Sequence, residues 1–237
     1  MRRILWQGVQ RANITRAAIR RPIGLAMQCW VSVVDTNGEV LGVVRTPDAT
    51  LFSYDVSVQK ARTAVLFSDD RVAWSCRAVG QHAQEFFPAG QQSRGLGPLH
   101  QLQDGLTVGL LTGAFGTPAD GLVRNGITIF PGGVPLYRDG VLVGGVGVSG
   151  DGVDQDDIVA DFASIGLQAP RGIRCDAVSD AARRASLLRA LDRIEALAVL
   201  PGGATPLQQA GFAFFEARLD RARRRTERTD VFVNPPY

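Results

Sequence analysis

The stretch GGVGVSGDG at residues 144–152 is the part of the sequence that says most about the fold. Valines alternate there with glycines and a serine, which predicts a β-strand whose glycines leave one face without side chains. Such a bare face either lets a helix pack close to the sheet or lets a ligand touch the backbone. Both alternatives make this strand the centre of the fold.

The acidic run that follows the strand predicts a helix over residues 154–165, with Gly166 as its end. The side chains expected to face inward are Ile158, Phe162 and Ile165. The acids themselves are open to three interpretations: capping of the helix, a metal or cationic site, and an anion site on a glycine-rich turn. Four carboxylates would repel a phosphate, and the turn lacks the complete spacing of a nucleotide-binding fingerprint, so capping is the favoured interpretation.

Two β-hairpins are predicted around the glycine strand. Asn37-Gly38 separates the apolar runs 30–34 and 40–44, and Asp139-Gly140 separates 136–138 from 141–143. Asn-Gly and Asp-Gly between apolar runs favour tight hairpin turns. The predicted sheet is therefore mostly antiparallel.

Helical spacing of apolar residues occurs in several places. A first helix is expected to bury Leu5, Val9 and Ala12, and a second is expected over residues 53–67, with Ser53 as its N-cap and Lys60 in its middle. After Arg171 the spacing predicts a helical hairpin, whose expected apolar positions are Leu187, Leu191, Ile194 and Ala198 in one helix and Phe212, Phe215 and Leu219 in the other.

Two segments have no clear helical or strand periodicity in their apolar residues. Residues 71–124 are rich in Gly, Gln and Pro and are interpreted as a long, partly irregular excursion that forms an interface or a site. Residues 229–237 are interpreted as an extended arm, because Pro235-Pro236 prevents a helix there. We expect this arm to lie along its own or a neighbouring subunit, with Tyr237 at least half buried.

Composition excludes several classes of protein. The chain has 237 residues, of which 45% are hydrophobic and 21% charged, as in ordinary globular proteins, and no apolar run is long enough to cross a bilayer. Three cysteines without metal-ligand spacing predict a reducing, cytoplasmic setting. Acids interleave the arginines of residues 218–228, which favours a solvated face or an acidic partner over nucleic acid.

Few residues have the chemistry of a catalytic or metal site. His82 and His100 are the chain's histidines, and each is an axial haem ligand in one interpretation and an ordinary loop residue in the other. Lys60 is the single lysine among 25 arginines; a buried salt bridge or a backbone-capping role is favoured over a Schiff base there. The sequence therefore assigns no catalytic and no metal-ligating residue.

Several strings taken in order resemble the GlcG/HbpS family of haem-binding proteins, which includes the C-terminal domain of PduO-type proteins. They are VVDTNG at 33–38, RTPDA at 45–49, QKARTA at 59–64, FPGGVPL at 130–136 and the run 144–157. The resemblance covers about residues 4–167. It implies an α/β sandwich, a mostly antiparallel sheet flanked by helices, that assembles as a homo-oligomer and in some members binds haem.

The resemblance also implies a set of residues at the edge of a cofactor pocket: Lys60, Gly132, Gly133, Pro135, Ser149 and Asp157. The excursion at 71–124 and the extension at 171–237 are additions to the compact family form, and the N-terminal helix lacks the histidine that some haem-binding relatives use. An iron ligand is therefore not implied.

The predicted organisation is a GlcG/HbpS-like domain at residues 1–170, with an insertion at about 71–124, followed by a helical hairpin and arm at 171–237. The leading hypothesis is a homo-oligomer that binds haem or another tetrapyrrole. The alternative is a non-catalytic accessory or scaffolding subunit that binds a protein partner through 71–124 and 171–237. A third hypothesis, an enzyme that degrades haem or acts through Lys60, is kept as the least favoured.

Overall fold

The sheet has four strands, and all neighbouring pairs are antiparallel. The computed structural model describes residues 1–87, 95–116 and 121–228. The strands are β1 (Cys29–Val34), β2 (Val40–Arg45), β3 (Gly133–Arg138) and β4 (Val141–Gly150), in the order β2-β1-β4-β3. Both predicted hairpins, and the predicted fold class, are confirmed.

Helix α2 (Ser53–Phe67) packs on the face of the sheet that the glycines leave bare. A Cβ atom at Gly147 would overlap the carbonyl oxygen of Ser57, and one at Gly145 would lie 2.5 Å from the carbonyl oxygen of Ala61. The helix has the predicted bounds, but its N-cap is Phe52 and not Ser53. Of the two roles open to the glycines, close helix packing is the one found.

The opposite face of the sheet is covered by α1 (Arg2–Ile14) and α5 (Val153–Ala163). Two of the three expected inward residues were wrong, since Ile158 and Ile165 are exposed, whereas Phe162 is partly buried. The residues of α5 that are buried are Asp156, Val159, Ala160 and Ala163. Small side chains let α5 lie close to α1 and the sheet. The carboxylate of Asp156 turns inward to the ammonium group of Lys60.

In α1 one expected position, Ala12, is confirmed as buried, and the other two are displaced. Ile4, Gly8 and Ala12 are buried, whereas Leu5 and Val9 are only partly covered. Gly8 gives the reason, because a Cβ there would lie 3.0 Å from the side chain of Val31 in β1. The helix thus contacts the sheet through its smallest residue.

The excursion after α2 is more regular than predicted. It contains α3 (Cys76–His82), α4 (Leu102–Leu111) and a 3-10 helix (Gly121–Val123). The glycines of these segments hide the helical pattern, and at Gly80 one of them is required because a Cβ would overlap the carbonyl oxygen of Ile129. The two gaps in the description, 88–94 and 117–120, also lie in this excursion.

The predicted helical hairpin is present as α6 (Asp180–Leu197) and α7 (Pro206–Thr226). Its apolar stripes join the buried cluster that α2, α3 and α4 form, and Phe215 packs edge-on against Phe115 with ring centroids 4.9 Å apart. The predicted arm at 229–237 lies outside the described residues. Within those residues, no helix combines the length and the apolar character that crossing a membrane requires.

Candidate functional site

Lys60 and Asp156 form a buried ion pair that joins the two faces of the sheet. Lys60 belongs to α2, which packs on the glycine face, while Asp156 belongs to α5 on the other face. The Lys60 Nζ lies 2.8 Å from the Asp156 Oδ2, and the two side chains are 2% and 3% exposed. The predicted buried salt bridge of Lys60 is therefore confirmed.

The ammonium crosses the sheet where the ladder between β3 and β4 ends. The last strand pair is Gly133 with Gly147, and the amide of Val148 then donates to the carbonyl oxygen of Gly132 at 2.7 Å. The Lys60 Nζ donates to the carbonyl oxygen of Val148 at 2.9 Å. Lys60 thus takes the place of the next backbone donor, so this carbonyl group is satisfied without another strand residue.

The turn at Gly132 and Gly133 closes over this pair. Gly132 has a φ of +110°, and a Cβ there would lie 2.7 Å from the carbonyl oxygen of Val148 and 3.0 Å from the Lys60 Nζ. A Cβ at Gly133 would lie 2.5 Å from the Cys76 Sγ. Both glycines are therefore needed for space, and Gly132 also for its backbone conformation.

Burial dominates the electrostatics of the pair. It raises the pKa of Asp156, and the adjacent Lys60 ammonium opposes that rise. The second carboxylate oxygen, Oδ1, is buried and has no hydrogen-bond partner among the described residues. Burial also raises the pKa of the nearby Cys29 thiol to about 12, which keeps that thiol protonated at neutral pH.

Asp157, the next residue of α5, faces a cavity on the outside of this turn. Its Oδ1 accepts a hydrogen bond from the amide of Gly132 at 2.9 Å, and its Oδ2 accepts one from the Arg77 Nε at 2.6 Å. Arg77 also pairs with Asp154 at 2.8 Å. The cavity has a volume of about 350 Å³, and its other lining residues are Ser75, Val134, Ile158 and Asp161.

The acids after the glycine strand therefore pair with cations of other elements. Asp156 meets Lys60, Asp154 and Asp157 meet Arg77, and Asp151 forms an ion pair with Arg20. Within the described residues there is no group of three or more metal-ligating side chains. The carboxylates thus fix the position of α5 relative to three other segments, a tertiary role in addition to the helix dipole.

The structure brings together four of the six predicted pocket-edge residues. Lys60, Gly132, Gly133 and Asp157 meet at the end of β3, and Asp157 lines a cavity. Two lie apart from these contacts in the buried sheet, Ser149 opposite Trp30 and Pro135 opposite Gly145. The bare face of the glycine strand is covered by α2, so a cofactor role for the six residues stays a prediction.

Two important residues of this cluster escaped the sequence reasoning. Asp156 was noted only as one of several acids, and Arg77 was not singled out. Adjacent helix residues point about 100° apart, so Asp156 and Asp157 cannot both point in the same direction, and one can face inward while the other faces a cavity. Two adjacent acids in a chain with a single lysine were the sequence signal for Asp156. No sequence signal pointed to Arg77.

The side chains able to ligate iron differ sharply in accessibility. His82 is fully buried between Trp74 and Phe87, with ring centroids 5.1 and 5.2 Å away, and burial lowers its pKa to about 4. All three cysteines are free thiols, and all are buried. His82 and the cysteines are therefore parts of the packed interior.

His100 is partly exposed and has the geometry of a ligand. Its Nδ1 lies 3.3 Å from the carbonyl oxygen of Ala83. A carbonyl oxygen only accepts hydrogen bonds, so Nδ1 carries the proton and the Nε2 of the neutral ring keeps a lone pair. Metal-binding histidines are usually oriented by such a bond to a carbonyl group or carboxylate. His100 lines a cavity of about 180 Å³, and the apolar residues Phe86 and Leu96 of the same loop region are exposed.

Comparisons with known proteins identify relatives for the sheet region. A family profile described as "Haem degrading protein HbpS-like" matches residues 10–164. The corrinoid adenosyltransferase PduO of Salmonella typhimurium is 31% identical over 151 residues, which are 64% of this chain and 35% of PduO. An uncharacterized 15.0 kDa protein of Citrobacter freundii is 33% identical over 132 residues, 56% of this chain and 70% of that protein.

The chain thus spans about a third of the length of the PduO relatives that it matches. Among solved structures, a crystal structure of a PduOC:heme complex aligns with a TM-score of 0.47 and 26% identity, covering 72% of this chain and 94% of the other. Helices α6 and α7 lie beyond the segment that the family profile matches.

Proposed function

The chain belongs to the family described as haem degrading protein HbpS-like, and from that premise we propose that it binds haem or another tetrapyrrole as a homo-oligomer. The observation that carries this proposal is the family match, which includes both hairpins, α2 and α5. Neither a catalytic residue nor a specific tetrapyrrole follows from it.

Among the described residues, the surface around His100 suits haem best. Haem needs an axial ligand and an apolar surface for its flat face. His100 offers its Nε2, its ring is oriented by the bond to Ala83, and the exposed side chains of Phe86 and Leu96 belong to the same loop region. The 180 Å³ cavity is too small to enclose a tetrapyrrole, so the macrocycle would lie across its mouth.

In this proposal His100 holds the iron, and haem would supply the redox and ligand-binding chemistry of that iron. The pocket-edge residues predicted from the resemblance have a supporting role in this proposal: Lys60 and Gly132 hold the turn, and Asp157 lines a cavity other than that of His100. An exposed tyrosine, Tyr54, is the competing iron ligand, since it is 37% exposed beside Trp30.

Hemin titration tests this function. The wild-type protein is expected to give a saturable change in the Soret band at about one site per protomer, and His100→Ala is expected to weaken binding or to shift the band. Tyr54→Phe is the matched control and should bind as the wild type does. A featureless rise without saturation would contradict haem binding, whereas saturable binding that His100→Ala leaves unchanged would reject His100 as the ligand.

The proposed homo-oligomer is supported by an exposed apolar surface. Ile19, Ile23, Leu51 and Phe52 are 67–75% exposed, and the ion pair between Arg20 and Asp48 holds their two loops together. Patches of this kind commonly mark protein interfaces. Light scattering should give the mass of more than one chain for the wild type and a lower mass for Phe52→Glu; a monomeric wild type would refute the proposal.

The accessory-subunit alternative is favoured by one observation, a basic surface on α7. Arg221, Arg224, Arg225 and Arg228 line a depression of about 400 Å³ on a segment beyond the family match. Such a surface suits an acidic protein partner. Substituting Arg221 and Arg228 by Glu should abolish co-purification of a genuine partner; an unchanged partner set would count against this surface.

A further inference from the structure

A large cavity lies between the β1–β2 turn and α6. It has a volume of about 560 Å³, which is in the range of small-molecule sites. The turn contributes Thr36 and Asn37, and its apolar wall consists of Leu122, Ala196 and Leu197. Because α6 begins at Asp180, this cavity depends on a segment outside the family match, which ends at residue 164.

Arg193 is the basic residue that lines the cavity, and two of its nitrogens are without acceptors. Its Nη1 donates to the carbonyl oxygen of Ser68 at 3.0 Å. The Nε and Nη2 atoms are both buried and have no hydrogen-bond partner among the described residues. Leaving charged donors unpaired in a buried place is costly, so an acceptor is expected there.

These two nitrogens form one edge of the guanidinium group. Their N–H bonds run side by side, which is the geometry that holds both oxygens of a carboxylate. The neighbouring acid, Asp69, is already engaged, since its Oδ2 lies 2.8 Å from the Arg189 Nε and 2.7 Å from the Arg189 Nη2. The Nε and Nη2 edge of Arg193 thus has carboxylate-binding geometry, and no described carboxylate pairs with it.

The surroundings limit the charge of an occupant. Burial lowers the pKa of Arg193, but a guanidinium group stays protonated at any physiological pH. Glu39 also lines the cavity and would repel a multiply charged anion. One positive edge, one acid and an apolar wall suit a ligand with a single negative charge and an apolar body.

We propose that this cavity is a binding site for a small monocarboxylic acid with an aliphatic or aromatic body. Because these two nitrogens are buried in the free protein, binding requires the guanidinium group to turn toward the cavity. The carboxylate then accepts hydrogen bonds from the Arg193 Nε and Nη2, and the body lies against Leu122, Ala196 and Leu197. The site is separate from the haem surface, because His100 lines a different cavity.

Calorimetric titration with hexanoate, octanoate, decanoate and benzoate tests the proposal on the full chain. At least one acid is expected to bind saturably, and its primary amide is expected to bind about tenfold more weakly or worse, because the amide lacks the charge. Octyl phosphate tests a doubly charged head group and is expected to bind more weakly than octanoate.

Two variants locate the site. Arg193→Gln removes the carboxylate-binding edge, while Ala196→Phe fills the cavity from an exposed position of α6 and leaves the core untouched. Both are expected to weaken acid binding by about tenfold or more. Arg138→Gln, at an exposed arginine of β3, is the matched control and should leave binding unchanged, as should His100→Ala.

Three results would overturn the proposal. They are the absence of saturable binding for the whole panel, equal binding of the acid and its amide, and binding that survives Ala196→Phe unchanged. Because Ala196→Phe does not depend on a buried hydrogen bond, the test remains valid even if Arg193→Gln lowers stability. Loss of hemin binding in His100→Ala with octanoate binding retained would separate this site from the proposed function.

Discussion

Replacing Lys60 by Met tests the energetic role of the ion pair across the sheet. Met has nearly the length of Lys, so the substitution removes the charge and the two hydrogen bonds of 2.8 and 2.9 Å while it keeps most of the volume. Asp156 would remain 3% exposed without a counterion. Removing one partner of a buried pair costs about 3–5 kcal/mol.

For a chain of this length each 1 kcal/mol lowers the Tm by about 2–4 °C, so we expect a fall of roughly 6–20 °C. Differential scanning calorimetry at pH 7.5 measures it, with circular dichroism to verify that the fold is retained. Asp156→Asn removes the carboxylate charge that Lys60→Met leaves without a counterion. The double variant Lys60→Met/Asp156→Asn should therefore recover at least half of the stability that Lys60→Met loses. The cycle of two single variants and one double variant then gives the coupling energy directly.

The loss should depend on pH in a defined direction. Without Lys60, the pKa of Asp156 in the folded protein rises further above its unfolded value of about 4. An acid with a raised pKa binds its proton more tightly when folded, so the folded state loses stability as the pH rises through the interval between the two pKa values. The deficit of Lys60→Met is therefore expected to be larger at pH 8 than at pH 5.

A Tm within about 2 °C of the wild type for Lys60→Met would refute this reasoning, since it would mean that the uncompensated charge reaches solvent at little cost. A double variant whose loss equals the sum of the single losses would also refute it. Equal deficits at pH 5 and pH 8 would show that Asp156 does not titrate as a buried acid.

The remaining predictions concern packing and thiol reactivity. Gly147→Ala should lower the free energy of unfolding by about 1–3 kcal/mol or more, because its Cβ would overlap the carbonyl oxygen of Ser57. In Gly172→Ala, where a Cβ meets nothing within 4 Å, the change should be less than about 0.5 kcal/mol. Urea titration measures both. All three cysteines are buried, and burial raises the pKa of each thiol. A disulfide reagent should therefore react slowly with the native protein, whereas in denaturant it should react with all three thiols. A fast reaction of the native protein would contradict this.

The elements predicted correctly are those whose signals are local. Asp139 has a φ of +52° and Gly140 one of +82°, so the hairpin turn that the dipeptide predicts is the turn found. The bounds of α2 agree with the prediction because its sequence has helical spacing up to Phe67. Such features require no knowledge of distant partners.

The features predicted wrongly or missed depend on distant contacts. Lys60 and Asp156 are 96 positions apart, so the salt bridge was predicted for Lys60 without its partner. The buried face of α5 was predicted from its large apolar residues, but the tertiary fold buries Asp156 and small residues. Likewise, α4 carries glycines where Phe115 and α7 approach it, and this composition predicts a loop when the partner is unknown.

The position of the single lysine also affects how the protein responds to amine chemistry. With Lys60 2% exposed, the folded chain has no ε-amino group on its surface, and 25 guanidinium groups carry the rest of its basic charge. Reagents and enzymes that modify lysine side chains therefore find no ε-amino group to react with while the fold is intact. Acylation of Lys60 would require α2 and α5 to separate, so its rate under native conditions would report how often the two layers of the protein open.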